Sequence, residues 1–398
     1  MKKVSNILPV FVLNCGSSSI KFMIRDVANG KVYLTGVADA IGSKKASLHY
    51  CHAGADKQQQ SIRGDFADAM RLVLEVVRQS DKAKALIGVG HRVVHGGEYF
   101  SASVVIDSEV TDRIRACIKL APLHNPANLM GIEQAQAVFP QLTHVAVFDT
   151  AFHHSLPAHA YIYALPYYLY RDHHIRRYGF HGTNHRYVSH VAADLLNKSL
   201  EDSHIISAHL GNGCSLAAIA GGKSVDTTMG LTPLEGLVMG TRCGNIDPSI
   251  PGLLIAQHGL SPEAVDQLLN HQSGLLGISE LSNDMRELSL AVEQGNQQAK
   301  LAIDIFCYQL AKQIAAISVA LPCIDALVFT GGIGENAAVI RHQVIAQLQH
   351  LKFKIDPVKN TQTNENSDIS AVDSTAILVV KANEEAMIAQ DVLSLTGE

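Results

Sequence analysis

The chain has 398 residues, 47% of them hydrophobic and only 17% charged, which is apolar content for large buried cores and excludes a disordered polypeptide. A formal net charge of −5, with Lys and Arg spread along the chain rather than in blocks, gives no electrostatic basis for nucleic acid or membrane partners and favours small molecules. The seven cysteines (15, 51, 117, 214, 243, 307, 323) include no CxxC pair and no metal-ligand spacing, so they read as reduced thiols of a cytoplasmic protein.

"MKK" followed by "ILPVFVL" imitates a secretion signal, but the apolar run is only about seven residues long and no small-residue cleavage site follows it. Asn14 stands where a lipid-anchor site at Cys15 requires a small residue, and no other segment approaches the ~20 apolar residues of a membrane span. "PVFVLN" is a short buried strand ending at a Cys-Gly-Ser-Ser turn. "SIKFMIRD" alternates as a second strand, and "NGKVYLTGV" adds an Asn-Gly hairpin into a third. "DFADAMRLVLEVVRQ" has helical spacing, "ALIGVGHRVVHGG" reads strand then loop, and "PANLMGIEQAQAVF" reads helix. "THVAVFDTAFH" is a strand ending in an acid. The histidine pairs His91/His95 and His181/His185 have the HxxxH spacing but lack the Glu of HExxH, so they read as polar turns and anion contacts rather than metal ligands.

Further on, "HIISAHLGNGCSLAAIAGGKSVD" (204–226) repeats the organisation of the first segment: strand, polar glycine turn, strand, second turn, Lys. On this matching Asn14 and Asn212 correspond, and two related halves would each present a turn with outward N–H groups to phosphate. "IDALVFTGGIGENAAVIRHQVIAQL" runs from an apolar strand into Gly331–Asn336 and then a helix, a place that favours an anion. The tail "STAILVVKANEEAMIAQDVLSL" is strand, turn, helix. A Walker loop fails because residue 217 is Ala. "GIGENA" satisfies the permissive dinucleotide pattern, with Asp356 as its acid, but no βαβ unit follows it. Three separated glycine turns, two on hairpins and one opening a helix, fit an actin-like nucleotide fold better.

The segments "NCGSSSIKF", "GHRVVHGGE", "PLHNP", "VFDTAFH", "RRYGFHGTNH", "HLGNGCS", "TTMGLTPLEGLVMGTRCG", "VFTGGIGEN" and "NEEAMIAQD" occur in this order from about residue 9 to 392. Together they resemble the signatures of the acetate kinase family, within the actin-like superfamily. The resemblance implies an α/β fold of duplicated actin-like (ribonuclease H-like) ATPase domains, with mixed β-sheets flanked by helices and the active-site cleft between them. Domain I is expected over 1–150 with the C-terminal helix 382–398 returning to it, and domain II, nucleotide-binding, over 151–381.

The implied reaction is reversible, in-line transfer of the ATP γ-phosphoryl group to acetate, giving acetyl phosphate and ADP. A carboxylate is already ionised at neutral pH, so the attack needs no general base. The site must instead bring two anions together and spread the charge of the transferring group, which calls for Arg, His, Mg²⁺ and backbone N–H groups. The resemblance makes Arg92 the carboxylate-binding arginine, where its planar fork suits bidentate contact. Arg242 becomes the phosphoryl-stabilising arginine, His181 the transition-state donor, and Asp149 a catalytic carboxylate that orients the metal or its water rather than transferring a proton. Asn14 and Glu384 are implied for magnesium, with Mn²⁺ as substitute. Each has an ordinary counterpart reading: surface ion pair, structural histidine, strand-end cap.

ATP contacts are expected from His209, Leu210, Gly211, Asn212 and Gly213, from Asp284, Met285 and Arg286, and from Gly331, Gly332, Ile333, Gly334, Glu335 and Asn336. Lys21 either reaches a phosphate or faces water at a strand edge, and His124 is divided between phosphate contact and turn stabilisation. Val94, Leu123, Phe180 and Pro233 are implied around the methyl group of the acid. Val94 occupies the position where propionate-preferring relatives carry a smaller residue, which favours acetate. Asn245 stands in place of a common Asp, and Cys214 and Cys243 replace small residues; Cys243, beside Arg242, suggests sensitivity to oxidation. A homodimer is implied as well. The rival readings are a propionate or butyrate kinase and an actin-like ATP-dependent protein clamp.

Overall fold

A computed structural model of the chain describes residues 7–363 and 365–397; the "MKK" of the signal-like start lies outside them. The chain separates into two compact units, one ending at His154 and resuming at Asn383, the other Ser155–Ala382.

In the first unit β1 (Pro9–Cys15), β2 (Ile20–Asp26), β3 (Val32–Asp39), β4 (Ser47–His52) and β5 (Gln58–Ser61) form an antiparallel meander. Strands β6 (Gly88–Val93), β7 (Val104–Val105) and β8 (Thr143–Phe148) complete a sheet of order β5-β4-β3-β2-β1-β6-β8-β7, with β6 parallel to both β1 and β8. Strand β2 alternates, burying Ile20, Phe22 and Ile24 and exposing Lys21, whereas β1 and β8 are buried almost throughout because both their faces are covered.

One face packs against helices Phe66–Gln79 and Asn125–Val138, with Phe11, Leu13, Phe22, Val73, Val77 and Phe139 in the shared core. The first of these helices starts at a capping box in which Asp65 and Asp68 accept each other's backbone N–H groups. The other face takes the C-terminal helix Glu384–Thr396, whose Ile388, Ala389 and Val392 lie on Val10, Val12, Val145 and Val147. A Cβ on Gly90 would stand 2.4 Å from Ile388, and one on Gly88 2.6 Å from Val392. Only glycine at these two places lets that helix lie so close to β6.

The second unit contains β9 (His204–Leu210), β10 (Cys214–Ala220), β11 (Lys223–Thr227), β12 (Ala326–Thr330), β13 (Ser367–Asp368) and β14 (Ala376–Val379), in the order β11-β10-β9-β12-β14-β13. Here β11, β10 and β9 are antiparallel while β9, β12 and β14 are parallel, the same plan as β3-β2-β1-β6-β8. The units are therefore two copies of one actin-like α/β arrangement. The ladder corrects the matching of Asn14 with Asn212. Asn14 is paired inside β1, one residue before the hairpin's last pair Cys15↔Ile20, and its counterpart before Leu210↔Cys214 is His209. Asn212 lies in the turn itself; turn letters do not fix register when the turns differ in length.

A second correction concerns apolar length. Among the described residues one stretch, Gln297–Ala320, is long and apolar enough to cross a membrane by length and composition. Its helix buries Ile303, Phe306, Leu310, Ile314 and Ile317 inside the second unit, and Lys300 pairs with Asp304 on an exposed face, so it serves as a core helix. Asp356 is spent capping the helix Pro357–Thr361 through the Val358 and Lys359 N–H groups, which removes the acid of the dinucleotide pattern.

His91 on β6 and His144 on β8 are stacked in the core of the first unit, with Nε2 of one 2.9 Å from Nδ1 of the other. Burial holds the His91 imidazole well below its ordinary pKa, its neighbour adding to the effect; burial also lowers His144, against the Phe139 carbonyl contact. In the unfolded chain both titrate near pH ~6.5, so below that pH the unfolded state binds more protons. The pair's contribution is present above pH ~6.5 and is lost as pH falls toward the lowered native values, by about 1.4 kcal/mol per pH unit for each proton. Urea unfolding followed from about pH 7 to about pH 5 should show this loss, and imidazole NMR should show two rings that do not titrate near 6.5. Two rings titrating normally would place the pair in solvent and defeat the account.

Candidate active site

In the first unit the candidate side chains Asn14, Arg92 and Asp149 sit at the carboxyl ends of the parallel strands, where α/β sheets place functional groups. Arg92, the penultimate pair of β6, lies across from Asn14 on β1, and Asp149 follows β8. The Arg92 guanidinium donates from Nε to Asp149 Oδ1 at 2.9 Å, from Nη2 to Asp149 Oδ2 at 2.5 Å, and from Nη1 to Asn14 Oδ1 at 3.1 Å. Glu384, at the start of the C-terminal helix, comes within 3.5 Å of Nε. The bidentate edge that the sequence reading offered to a substrate carboxylate is thus given to Asp149.

Burial works against the Arg92 charge, but Asp149, Glu384 and Glu385 outweigh it and raise the guanidinium above its ordinary value. Burial also pushes the Asp149 carboxyl up to about 6, the guanidinium opposing and Glu384 adding. The loop after β6 is held by two residues that sequence reasoning missed. Asn128 accepts from the Val94 N–H and donates to the Cys15 carbonyl, while Asn125 exchanges hydrogen bonds with the His95 backbone. Their signal was two buried amides three residues apart in "NPAN", opening a helix. Val94 is buried and Leu123 is 51% exposed. Lys21 is exposed at a cavity of about 500 Å³ that Asn14, Glu384, Glu385, His49 and Lys57 also line.

The second unit assembles a different group of side chains. His181 takes the left-handed conformation (φ 56°) as it opens the helix Gly182–Leu195, and its ring stacks on His209 with centroids 4.2 Å apart. Its Nδ1 lies 2.9 Å from Ser215 Oγ. That hydroxyl is also 2.8 Å from His185 Nε2, and His185 Nδ1 is 2.9 Å from Ser207 Oγ. Ser207, Ser215 and His185 are fully buried and went unnoticed as a chain, because serine alternation in β9 and β10 carries no signal of its own. The Asn184 amide holds His209 Nδ1 at 2.9 Å.

Arg242 reaches the Pro233 carbonyl at 3.3 Å and the Met239 sulfur at 3.8 Å, and among the described residues it meets no carboxylate. Burial lowers its pKa. A Cβ on Gly213 would be 3.3 Å from Arg242 Nη1 and 3.3 Å from His181 Nε2, so the guanidinium and the imidazole edge converge on this glycine. Phe180 is buried close by in sequence. Cys214 is buried with its thiol pushed up to about 12, and burial also raises Cys243, whose Sγ donates to the Gly244 carbonyl. A raised thiol is the opposite of a reactive one, which counts against oxidation at Cys243. Asn245 exchanges hydrogen bonds with the Gly236 backbone, a turn contact.

A second cavity, of about 1000 Å³, is lined by three of the glycine-rich or polar segments expected to meet ATP: Gly211 and Asn212, Asp284 to Arg286, and Gly332, Ile333 and Asn336. Asn283 donates to Asn212 Oδ1 and ties the first two segments together. Asp284 caps its own helix and pairs with Arg286, whose hydrogen bonds hold the carboxyl at about 2. Glu335 accepts from the Gly331 and Ala382 N–H groups, so Gly331 has no free N–H for a phosphate. Leu210 and Gly334 are buried and do not border this cavity, whereas Met285, although mostly buried, does.

The chain matches the model of the acetokinase family over residues 9–390. It is 51% identical over 388 residues to the acetate kinase of Pseudomonas aeruginosa (strain LESB58), covering 97% of this chain and 98% of that one. Among solved structures, a propionate kinase from Francisella tularensis superposes with a TM-score of 0.93 at 46% identity, over 98% of this chain and all of the other. The acetate kinase of Porphyromonas gingivalis gives 0.91 at 40% identity, over 98% and 99% of the two chains.

Gly331 has φ +78°, and a Cβ there would meet the Leu210 backbone at 2.8–3.0 Å, while a Cβ on Gly332 meets nothing within 4 Å. Gly331→Ala should therefore destabilise the protein by about 2 kcal/mol, within the range for strained backbone. Gly332→Ala should stay within about 0.5 kcal/mol of the parent. Chemical denaturation of the two variants checks this; equal stability would refute the close packing of Gly331 on β9.

Proposed function

The chain belongs to the acetokinase family, and from that premise we infer its reaction, reversible phosphoryl transfer between ATP and acetate that yields ADP and acetyl phosphate. The geometric observation that carries a phosphoryl-transfer reading is the convergence of Arg242 Nη1 and His181 Nε2 on Gly213, with the guanidinium unpaired by any carboxylate among the described residues. Such a pocket is ready for an anion.

On this reading Arg242 and His181 donate to the equatorial oxygens of the transferring group. If Ser207 donates to His185, His185 to Ser215 and Ser215 to His181, the proton of His181 is left on Nε2, where a donor is needed. ATP lies along the cavity bordered by Gly211, Asp284–Arg286 and Gly332–Asn336. Asn14, Asp149 and Glu384 present oxygen donors gathered around Arg92, a hard donor set that fits Mg²⁺, or Mn²⁺ in its place. That ion would neutralise phosphate charge. Arg92 positions Asp149 and offers its remaining N–H edge to the acid, and Val94 limits the acid's size.

Acetate is favoured by the relatives at 51% identity that bear the name acetate kinase; the propionate kinase at 46% identity supports the runner-up. One methylene is worth only about 1–3 kcal/mol in such a pocket, so propionate should be used less well rather than refused. A cytoplasmic setting agrees with seven unpaired thiols among the described residues. The homodimer is supported by the helix Ile250–His258, which buries none of its residues and exposes Ile250, Leu253 and Ile255.

Hydroxamate trapping of the acyl phosphate with acetate, propionate and butyrate tests the substrate: acetate should give the highest kcat/KM, Val94→Ala should move preference toward propionate, and a parent enzyme that prefers propionate overturns the choice. In the same assay Arg242→Ala should lower kcat by about 10²–10³-fold; an unchanged kcat removes Arg242 from the site. Light scattering should find a dimer that Leu253→Glu with Ile255→Glu converts to monomer, and a monomeric parent would end that part of the reading.

A further inference from the structure

At the opposite end of the second sheet from the turns at 211–213 and 331–336, three side chains that the reaction does not use come together. His204 opens β9, and Cys323 and Asp325 stand in the segment leading into β12. The backbone locks these segments: the Asp325 N–H donates to the His204 carbonyl at 2.8 Å, and the His204 N–H to Asp325 Oδ2 at 2.8 Å. His204 Nδ1 then lies 3.5 Å from Cys323 Sγ and 3.5 Å from Asp325 Oδ2, with one ligand atom from each residue within 4.8 Å of the others.

The two separations from His204 Nδ1 match a tetrahedral cation. With bonds of about 2.3 Å to sulfur and about 2.0–2.1 Å to nitrogen and oxygen, tetrahedral angles put sulfur about 3.6 Å and oxygen about 3.3 Å from the nitrogen. Imidazole, thiolate and carboxylate together are a zinc-type donor set, whereas Mg²⁺ and Ca²⁺ take oxygen. Lys198 holds the other carboxylate oxygen, Oδ1, at 2.5 Å, which fixes Oδ2 toward the imidazole. Cys323 is exposed and His204 partly so, leaving an entry path and a fourth position for water.

We propose that His204, Cys323 and Asp325 form a surface site for a zinc-type divalent ion that clamps the starts of β9 and β12. No spacing in the sequence announces it, because folding brings His204 to a cysteine 119 positions away. Binding converts the Cys323 thiol to thiolate and releases one proton to solvent.

The test uses the full chain, stripped of metal and titrated with Zn²⁺ and separately with Co²⁺, with Mg²⁺ in excess to fill the oxygen-donor site. One equivalent of Co²⁺ should bind with a thiolate-to-cobalt charge-transfer band. That band should vanish in Cys323→Ser and persist in Cys51→Ser. Zn²⁺ affinity should fall at least about tenfold in Cys323→Ser and in His204→Gln, and the Zn²⁺-dependent rise in Tm should be lost with it. Absence of a bound equivalent, or equal affinity in Cys323→Ser, overturns the proposal. Neither result bears on the phosphoryl-transfer reading, which the acyl phosphate assay tests separately.

Discussion

Taking a guanidinium out of water costs several kcal/mol unless its N–H groups find anions or carbonyls, and Arg92 sits largely buried at the end of β6. Its partners arrive from three directions. Asp149 does so because β6 and β8 are in register to their last pair, Val93↔Phe148, after which the Asp149 N–H closes on the Val93 carbonyl. Asn14 does so because β1 runs parallel at Asn14↔Arg92. Glu384 comes from the far end of the sequence, and it reaches Arg92 only because the C-terminal helix lies tight on β6. That closeness rests on Gly88 and Gly90, where any Cβ would meet Val392 or Ile388. Two glycines in the middle of a strand are thus part of the electrostatics at its end.

The second unit handles its arginine differently. Arg242 is half-buried without a carboxylate among the described residues, and the burial that lowers its pKa is a cost that an anion would relieve. The cost is tolerable because the guanidinium still meets the Pro233 carbonyl and the Met239 sulfur. A pre-formed cation with nothing negative beside it binds an anion more strongly than one already paired, since no internal salt bridge has to break first. Arg92 would have to share its carboxylate, and Arg242 would not. This asymmetry suits a reaction in which one anion is a small acid and the other a transferring phosphoryl group.

Strand and helix identities were legible because their signals are local. The alternation of "IKFMIRD", the unbroken apolar run of "ALVFT" and the spacing of "FADAMRLVLEVV" each report the environment of their own faces. The repeat was legible as an order of elements but not as a residue matching, since Asn212 fell in the turn and His209 in the ladder. The partners of the site were not legible at all. Asn128, Ser215 and His185 hold functional groups through contacts 34, 34 and 30 residues apart, and their letters resemble ordinary buried polar positions. Resemblance to a family points to Arg92, but it says nothing of which edge of the guanidinium remains available, because that depends on whether Asp149 lies within 3 Å of it.

Duplication explains why one plan carries two chemistries. In both units a hairpin leads into parallel strands, and side chains at the carboxyl ends of those strands are the ones that escape the core. The first unit fills those ends with Asn14, Arg92 and Asp149, all long or charged enough to meet one another. The second fills them with His209, Thr330 and Val380, of which only His209 is an imidazole and none carries a formal charge comparable to Arg92 or Asp149, and leaves the polar work to backbone turns and to Arg242 arriving on a loop. A phosphate-rich ligand is satisfied by backbone N–H groups, which need close approach and therefore small residues; a metal and a carboxylic acid need side-chain oxygens and a fixed guanidinium. On the proposed reading, the same strand ends, loaded with opposite residue types, offer those two environments without any change in topology.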